Sequence, residues 1–346
     1  MPEPSSANST RHLATPVLQR PRLIILANHG KEHVSAVLGK FRPWLEQRAE
    51  ILAEPDIREL DRRTAHELPE ADLGLILGGD GTLLSQARAL IDIDLPLLGI
   101  NFGKVGFLAE YSIDSVKQHW DAIMSGRCLM SARMMIDVKV FPAGYPEWGG
   151  NGNPIFDDAP PKPRAQHAAG GEAREAEDAG RGSLPAPLFH AVAMNDAVIT
   201  AGPPFRMIDI ELAIEPSISR TSATMFTGDG VVVATPSGST AYNLSAGGPI
   251  VAPGIDGLCI AAIAPQSLAF RPIVAHAASD TWLYLRSANA GTTLVLDGQE
   301  SFNLGIDQQV RIARHPRTIK LVHNPDLNYW KMLAHKMHWA ARPRRD

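Results

Sequence analysis

The chain has 346 residues, of which 45% are hydrophobic and 20% are charged, and its formal net charge is −4. This composition is typical of a soluble globular protein that is long enough for two domains with their own cores. A slightly acidic chain without a broad basic stripe argues against a nucleic-acid-binding protein. The only two cysteines, Cys128 and Cys259, exclude a disulfide framework and are typical of a reducing compartment.

Residues 1–20 are polar and contain proline and serine, so we expect a disordered tail there. They lack the apolar segment of a signal peptide. No apolar run in the chain approaches the roughly 20 residues that cross a bilayer. The expectation is a cytoplasmic protein with neither a membrane nor a nucleic acid as partner.

Residues 21–128 alternate short apolar strands with segments of helical spacing. This alternation predicts a parallel sheet with helices on its faces, that is, an α/β domain. The predicted strands are a short apolar strand that opens RLIILANHG (22–30), then LGLIL (73–77) and LPLLGIN (95–101). The predicted helices are VSAVLGKFRPWLEQRAEIL (34–52), TLLSQARALI (82–91) and SVKQHWDAIMSG (115–126).

Residues 129–322 consist mainly of short strand patterns separated by turn residues, which predicts an all-β domain of sandwich type. Within it, residues 145–187 are rich in Gly, Pro, Ala and charge, and we expect a disordered insertion between two strands. Residues 323–346 predict a terminal helix and a basic tail that pack on the α/β domain. In that helix Trp330, Leu333 and Met337 recur at helical spacing, which predicts one packed face.

The segment GGDGT (78–82) stands where a predicted strand meets a predicted helix. Glycines permit close backbone approach, and the free amides of a turn and a helix start bind anions. Polyphosphate is therefore the expected ligand. The alternative is a plain strand-to-helix turn in which Asp80 is the helix N-cap. Neither a P-loop nor a G-x-G-x-x-G dinucleotide pattern occurs in the chain.

A second segment of this kind is TPSGSTAYNLSAGGP (235–249). It predicts a tight turn with three hydroxyl groups followed by a helix start, with Tyr242 available to stack or to donate a hydrogen bond. Ordinary helix capping by Ser239 or Thr240 is the alternative. Two such turns in one chain favour a nucleotide-binding function.

Five segments in this order, and the closing NYWKMLAHKMHWA, resemble the bacterial-type NAD kinase family: GGDGTLL, PLLGINFGKVGFL, MNDAVI, GDGVVVATPSGSTAYNLSAGGPI and LDGQE. GGDGT alone is shared with diacylglycerol-type lipid kinases, whereas the TPSGSTAY segment is nearly diagnostic. The resemblance covers most of residues 22–340 outside the insertion. The chain departs from the family pattern at Ser237, at Asp196 in place of the usual glutamate, and at Gln266 in place of the usual histidine.

The resemblance implies a phosphoryl transfer from ATP, or a related donor, to the 2′-hydroxyl of the adenosine ribose of NAD, which gives NADP. It implies Mg²⁺ as the divalent cation and a homo-oligomer, either a dimer or a tetramer. The implied fold is an amino-terminal Rossmann-like α/β domain and a carboxy-terminal β-sandwich-type domain that binds the dinucleotide. A terminal helix returns to the first domain, and the site lies in the cleft between the two.

Carried over by motif, Asp80 is the implied catalytic aspartate. It accepts the ribose proton or orients the hydroxyl, and it holds Mg²⁺ together with the substrate phosphates; no separate metal site is implied. The residues implied to contact the dinucleotide are Asp80, Gly81, Asn195, Asp196, Arg206, Asp229, Thr240, Ala241, Tyr242, Asn243, Leu244, Ser245 and Gln299.

Alternatives stay open at this point. GGDGT also fits a lipid kinase, and the same fold fits a non-catalytic NAD(P)-binding sensor. The TPSGSTAY segment disfavours the first, and the intact Asp80 argues against the second. Asn195 and Asp196 could be turn residues at a strand end, Asp297 starts a good hairpin turn in its own right, and Arg206 could form a surface ion pair with Asp209.

Overall fold

A computed structural model of the chain describes residues 20–103, 106–145, 185–215 and 222–337. Nearly all of the predicted tail, most of the predicted insertion and the basic carboxy-terminal tail lie outside these ranges. None of the helices in the described ranges combines the length and the apolar character needed to cross a bilayer.

The first half of the chain is an α/β unit whose strands are parallel and lie in the order β2-β1-β3-β4. Strands buried on both faces carry continuous apolar runs rather than alternating ones, and β3 is buried at all five positions. The elements are β1 (Arg22–Ala27), α1 (Glu32–Glu46), β2 (Glu50–Ala53), a 3₁₀ turn (Thr64–Glu67), β3 (Leu73–Leu77), α2 (Asp80–Ala89), β4 (Leu97–Ile100) and α3 (Ile113–Met124).

The helix predicted over residues 34–52 is too long at its carboxyl end. It ends at Glu46, and Glu50–Ala53 form the edge strand β2, which pairs with β1. Helical spacing is a weak preference that a tertiary partner overrides, and the open edge of β1 supplies hydrogen bonds that a longer helix would leave unmade.

The second half is built mainly from strands. Its elements are β5 (Met130–Phe141), β6 (Phe189–Ala193), β7 (Asp196–Thr200), β8 (Ile208–Ile214), β9 (Thr224–Gly228), β10 (Gly230–Ala234), a 3₁₀ turn (Gly238–Thr240), α4 (Tyr242–Ser245), β11 (Gly257–Ile263), β12 (Ile273–His276), β13 (Thr281–Ser287), β14 (Thr293–Leu296), β15 (Glu300–Asn303), β16 (Gln309–Val322) and α5 (Tyr329–Met337).

These strands form two layers. One is a six-stranded sheet in the order β12-β11-β10-β7-β14-β15. The other contains β5, β6, β8, β9, β13 and β16, and the apolar side chains of both layers share one core. The predicted sandwich-type packing is therefore confirmed.

The long strand β16 joins the two halves into one ten-stranded sheet. It pairs in parallel with β4, Leu321 opposite Leu97, and antiparallel with β5 and β13. A register shift between Arg314 and Thr318 interrupts its pairing with β5. A continuous backbone sheet rather than a flexible linker therefore joins the two halves.

The terminal helix α5 lies next to the α/β half, and the face it buries agrees with the prediction at Leu333 but not at Trp330. Met332 and Leu333 are buried, whereas Trp330 is 52% exposed. The Lys336 ammonium lies over the Phe107 ring at 5.1 Å, which brings this helix to the loop that follows β4. The packed face is therefore centred on Met332 and Leu333, and Trp330 lies outside it.

Candidate active site

Asp80 is the first residue of α2, and the N-cap position is Gly79. The Asp80 side chain points to the loop after β4, where the backbone N–H groups of Phe107, Leu108 and Ala109 donate to its carboxylate at 2.8, 3.1 and 2.9 Å. The N-cap alternative is therefore wrong. The carboxylate instead satisfies three consecutive amides that would otherwise lack partners.

Gly106 makes this arrangement possible. A Cβ atom at this position would overlap the Oδ1 atom of Asp80, so only glycine lets the loop approach the carboxylate. Gly78 is constrained in a similar way, since a Cβ there would overlap the Thr82 side chain. Gly78 and Gly106 thus serve close packing within the site, whereas a Cβ at Gly79 or Gly81 would meet only ordinary van der Waals contacts.

A cavity of about 340 Å³ opens beside Asp80 at the carboxyl ends of β1, β3 and β4, where open parallel sheets bind ligands. In the described part of the chain, the amides of Gly79, Asp80 and Gly81 have no hydrogen-bond acceptor. Lys31 and His33 line the same cavity from the start of α1. The free amide of Gly79, with those of Asp80 and Gly81 next to it, and the Lys31 ammonium around one cavity form an anion site.

A second carboxylate, Asp297, repeats the pattern seen at Asp80. The backbone N–H groups of Met194, Asn195 and Asp196 donate to it at 3.0, 2.7 and 3.2 Å. Its side chain is fully buried. Asp297 has φ 51° and Gly298 has φ 67°, so the pair is the predicted turn between β14 and β15. The same residue also fixes the backbone of the Asn195-Asp196 pair.

Two side chains, Arg88 and Gln299, connect the hairpin of Asp297 to the helix that carries Asp80. The Arg88 guanidinium, on α2, donates to Asp297 at 3.1 Å, to Gln299 at 2.8 Å and to Glu300 at 3.1 Å. Gln299 in turn donates to the carbonyl oxygen of Gly81 at 2.8 Å. The GGDGT turn, the LDGQE turn and the Asn195-Asp196 pair therefore meet in one cleft.

The TPSGST segment packs directly against the Asn195 backbone. A Cβ at Gly238 would overlap the Asn195 carbonyl, and the Thr235 amide donates to that same carbonyl oxygen at 2.8 Å. The Ser239 hydroxyl donates to the Pro236 and Val251 carbonyls at 2.7 and 3.1 Å, so it closes the turn rather than capping the helix.

Asn195 and Asp196 place two buried polar groups next to Asp297. The buried Oδ1 atom of Asn195 has no hydrogen-bond partner among the described residues. Burial and then the Asp297 carboxylate raise the pKa of Asp196 to about 7. An unpaired acceptor beside a carboxyl group that is costly to ionise indicates a site that a ligand completes.

The side chains from Thr240 to Ser245 differ in their exposure. Tyr242 and Ser245 are exposed, and Thr240, Ala241 and Leu244 are half-buried. Asn243 is fully buried, and its amide donates to the carbonyls of Ser239 and Pro249 at 3.2 and 3.0 Å. Its side chain thus holds the turn together, whereas Tyr242 and Ser245 are open to solvent.

Arg206 and Asp229 lie at the other end of strand β7 from Asn195. Asp229 precedes Gly230, which pairs with Thr200, and β7 spans about 13 Å between its first and last residues. The structure therefore does not bring these two residues to Asn195. Asp209 accepts a hydrogen bond from Thr227 at 2.5 Å, and Arg206 forms no ion pair with it among the described residues.

Comparison with known proteins identifies the family of this chain. The model of the ATP-NAD kinase N-terminal domain matches residues 24–128, and that of the ATP-NAD kinase C-terminal domain matches residues 194–324. A NAD kinase of Geobacter metallireducens is 32% identical over 326 residues, which cover 93% of this chain and 99% of that protein. One of Rhodopirellula baltica is 30% identical over 322 residues, which cover 93% and 88%. The chain belongs to the NAD kinase family.

Two solved structures show the NAD kinase fold in this chain. Yeast NADH kinase, complexed with NADH, has a TM-score of 0.69 at 20% identity and covers 95% of this chain and 90% of its own. An NAD kinase from Archaeoglobus fulgidus, in complex with ATP, has a TM-score of 0.62 at 20% identity and covers 92% and 98%. They confirm the predicted fold class, an α/β domain followed by a β domain.

Three features of the site are absent from the sequence prediction: Arg88, Gly106 and the side chain of Asp297. At Asp297 the sequence predicts only a turn. A signal for Arg88 does exist, because a charged residue interrupts the otherwise small and apolar end of the predicted helix. For Gly106 the position in GKVGFL does not indicate that a carboxylate approaches it.

Proposed function

We propose that this chain is an ATP-dependent NAD kinase, which transfers a phosphoryl group from ATP to the 2′-hydroxyl of the adenosine ribose of NAD and so forms NADP. The observation that carries the proposal is the meeting of an anion site with a nucleoside-type site at Asp80. The Gln299 bond to Gly81 and the Asp297 bonds to Asn195 and Asp196 connect the two.

The donor fits the cavity beside α2. The free amides of Gly79, Asp80 and Gly81 are suited to phosphate oxygens, and the helix dipole adds partial positive charge. Lys31 and His33 also line this cavity, where the Lys31 ammonium can neutralise charge on a polyphosphate chain. Positioning and charge neutralisation are the main needs of phosphoryl transfer.

The acceptor fits the other side of the cleft. The unpaired Oδ1 of Asn195 accepts a hydrogen bond from a ligand amine or hydroxyl, and Asp196, once ionised, accepts from hydroxyl groups. Tyr242 is 44% exposed and offers its ring to a base or a ribose. We assign dinucleotide contacts to these residues and to Gly81, Thr240, Ala241, Leu244, Ser245 and Gln299.

Asp80 is the proposed catalytic residue. Its Oδ1 atom accepts two amide hydrogens, whereas Oδ2 accepts one and so keeps a lone pair for the reacting hydroxyl. Held in this way, the carboxylate orients the hydroxyl and accepts its proton as the bond to phosphorus forms.

The residues also fit Mg²⁺. This ion uses one or two carboxylates together with substrate phosphates and water, which matches a single carboxylate beside an anion cavity. In the described ranges no group of three or more His, Cys, Asp or Glu side chains is placed to hold a metal on its own. Asp80, through the same free lone pair of Oδ2, is the protein ligand we propose for the ion when the hydroxyl is not bound there, and the ion would supply neutralisation of phosphate charge.

We propose a different role for Arg206 and Asp229 from that of the residues near Asn195. Because both lie far along β7 from Asn195, they fit the far end of an extended dinucleotide or one bound to a second copy of the chain. Exposed apolar side chains next to Arg206, namely Phe205 at 73% and Met207 at 46%, support a homo-oligomer. Sedimentation equilibrium tests the oligomer.

The direct test is to incubate the protein with ATP, Mg²⁺ and NAD and to measure NADP with an NADP-specific dehydrogenase. We expect NADP to form, and to stop forming when EDTA removes the metal. Phosphorylation of diacylglycerol without NADP would indicate the lipid kinase. Calorimetric binding of NAD without turnover would indicate a sensor.

A further inference from the structure

Arg88 lies on the helix that carries Asp80, about 12 Å further along it. Its side chain is only 9% exposed. Its three guanidinium nitrogens bond to three different residues of one hairpin, Asp297, Gln299 and Glu300, at 2.8–3.1 Å. The planar guanidinium group, whose N–H donors have a fixed geometry, thus bonds to three acceptors that one hairpin holds in place.

Two of these three partners also touch the site. Asp297 accepts the amides of Asn195 and Asp196, and Gln299 donates to the carbonyl oxygen of Gly81, the residue after Asp80. The helix of Asp80 is therefore attached to the hairpin at two points, near its start through Gln299 and near its end through Arg88. Two points of attachment fix the direction of a helix, whereas one would let it pivot.

A buried ion pair is weak evidence for stability, because the desolvation of two charges offsets most of their attraction. The pair between Arg88 and Asp297 therefore calls for a reason other than stability. Phosphoryl transfer supplies one, since a misplacement of about 1 Å between reacting groups costs about a hundredfold in rate.

We propose that Arg88 is a positioning residue for phosphoryl transfer, which fixes the helix carrying Asp80 against the hairpin that orients Asn195 and Asp196. It touches neither substrate. Its effect passes through Asp297 and Gln299, and it sets the distance between the carboxylate that meets the hydroxyl and the groups that hold the dinucleotide. This inference rests on the proposed NAD kinase function.

The test compares Arg88→Lys with wild type. Lysine keeps a charge for Asp297 but cannot reach Gln299 and Glu300 at the same time. The matched control is Arg314→Lys, which replaces the contact of the Arg314 Nη1 atom with both carboxylate oxygens of Asp256 (2.7 and 2.8 Å), far along β16 from the site. The readouts are kcat and KM for NAD and ATP, calorimetric Kd for NAD, and Tm.

We expect Arg88→Lys to lower kcat at least about tenfold. Its Kd for NAD should change less than about threefold, well under the tenfold that 1.4 kcal/mol represents, because lysine still pairs with Asp297 and leaves the Asn195 backbone in place. Its Tm should match that of Arg314→Lys. A kcat equal to that of the control overturns the proposal, and so does a lower Tm with kcat per folded molecule unchanged.

If Arg88→Lys does not fold, Gln299→Leu tests the same attachment without leaving a buried charge unpaired. It removes the bonds to both Arg88 and Gly81. Because Gln299 is also assigned a dinucleotide contact, the readout is kcat at saturating NAD, which we again expect to fall. An unchanged kcat overturns the proposal, whether or not the Kd for NAD rises. The wild-type assay separates the two levels of inference. Absence of NADP from wild type contradicts the kinase function itself, whereas an active wild type and an equally active Arg88→Lys contradict only the positioning role.

Discussion

At the scale of single residues, Asp80 combines chemistry with structure. Both of its oxygens accept backbone hydrogens from residues 107–109. In Asp80→Asn one oxygen becomes an NH₂ group, which cannot accept, so at least one amide of the loop loses its partner. We expect turnover at saturating NAD to fall at least about a hundredfold and the free energy of unfolding to fall by about 1–3 kcal/mol.

The coupled NADP assay and urea unfolding check this prediction. Asp121→Asn, an exposed carboxylate on α3, is the control and should change neither quantity. A folded Asp80→Asn protein with wild-type turnover would remove Asp80 from catalysis. This expectation differs from that for a capping residue, since asparagine caps a helix as well as aspartate does.

Gly106→Ala tests the same loop from the other side. The added Cβ would overlap Oδ1 of Asp80, so the carboxylate or the loop must move. We expect turnover to fall at least about tenfold, in line with the rate cost of a small misplacement, while Tm falls by a few degrees. Gly39→Ala, in α1, has open space around its Cβ and should leave turnover unchanged and raise stability.

Turnover of Gly106→Ala within about twofold of wild type, far less than a misplaced group costs, would contradict a fixed position for Asp80. The Gly39→Ala control separates this effect from any general consequence of adding a methyl group to a glycine.

The buried carboxyl of Asp196 makes stability depend on pH. Burial and the nearby Asp297 charge raise its pKa in the folded state to about 7, above the ordinary value of 3.8. The folded state therefore binds the proton more tightly than the unfolded state, and stability falls as pH rises from about 4 to about 7. A pKa that differs by about one between the two states corresponds to about 1.4 kcal/mol of free energy of unfolding.

Asp196→Asn removes this dependence. We expect the variant to gain stability relative to wild type as pH rises from about 4 to about 7, with the difference constant at higher pH, as measured by urea unfolding across this range. Parallel pH curves for the two proteins would show that the carboxyl has no raised pKa. NAD binding by the variant should weaken, because the amide cannot accept as a carboxylate does.

At the scale of elements, the insertion predicted for residues 145–187 joins two strands that are antiparallel neighbours. Val140 in β5 lies opposite Phe189 in β6, and the Leu188 amide donates to the Val140 carbonyl at 2.8 Å. The two ends of the connection therefore emerge at the same edge of the sheet, and a short chain can close it.

We predict that replacing residues 148–184 with a short Gly/Ser linker leaves NAD turnover unchanged within about a factor of ten. Turnover at saturating NAD and Tm are the measurements, with the full-length chain as the reference. A loss greater than about tenfold, roughly 1.4 kcal/mol of barrier, would show that the segment takes part in function.

At the scale of the whole molecule, β16 makes one sheet of the two halves. It pairs with β4 from the α/β half and with β5 and β13 from the β half. We expect cooperative unfolding, so amides of β3 and β13 should exchange with the same opening free energy and the same urea dependence. Hydrogen exchange with peptide-level mass spectrometry measures this, and a lower opening free energy in β3 alone would show independent halves.

The sequence alone was sufficient for features set by local patterns. Alternating apolar and helical periods predicted the α/β half, and short strands between turn residues predicted the β half, because both periodicities reflect burial of neighbouring positions. The glycine-rich turns and the family resemblance identified Asp80, Asn195 and Gln299 as candidate site residues. Local spacing was wrong where a distant partner prevailed, as at Glu50–Ala53, which pairs with β1 rather than extending α1.

The partners of the site residues were decided only by the tertiary structure. Asp80 accepts from amides 27–29 residues away, and Asp297 meets Arg88 across 209 residues. No period or propensity encodes such separations, since strand pairing and register determine which loops meet at a sheet edge. The sequence by itself determined that a carboxylate stands among glycines at a helix start, and the sheet joined by β16 decided which amides and which arginine surround it.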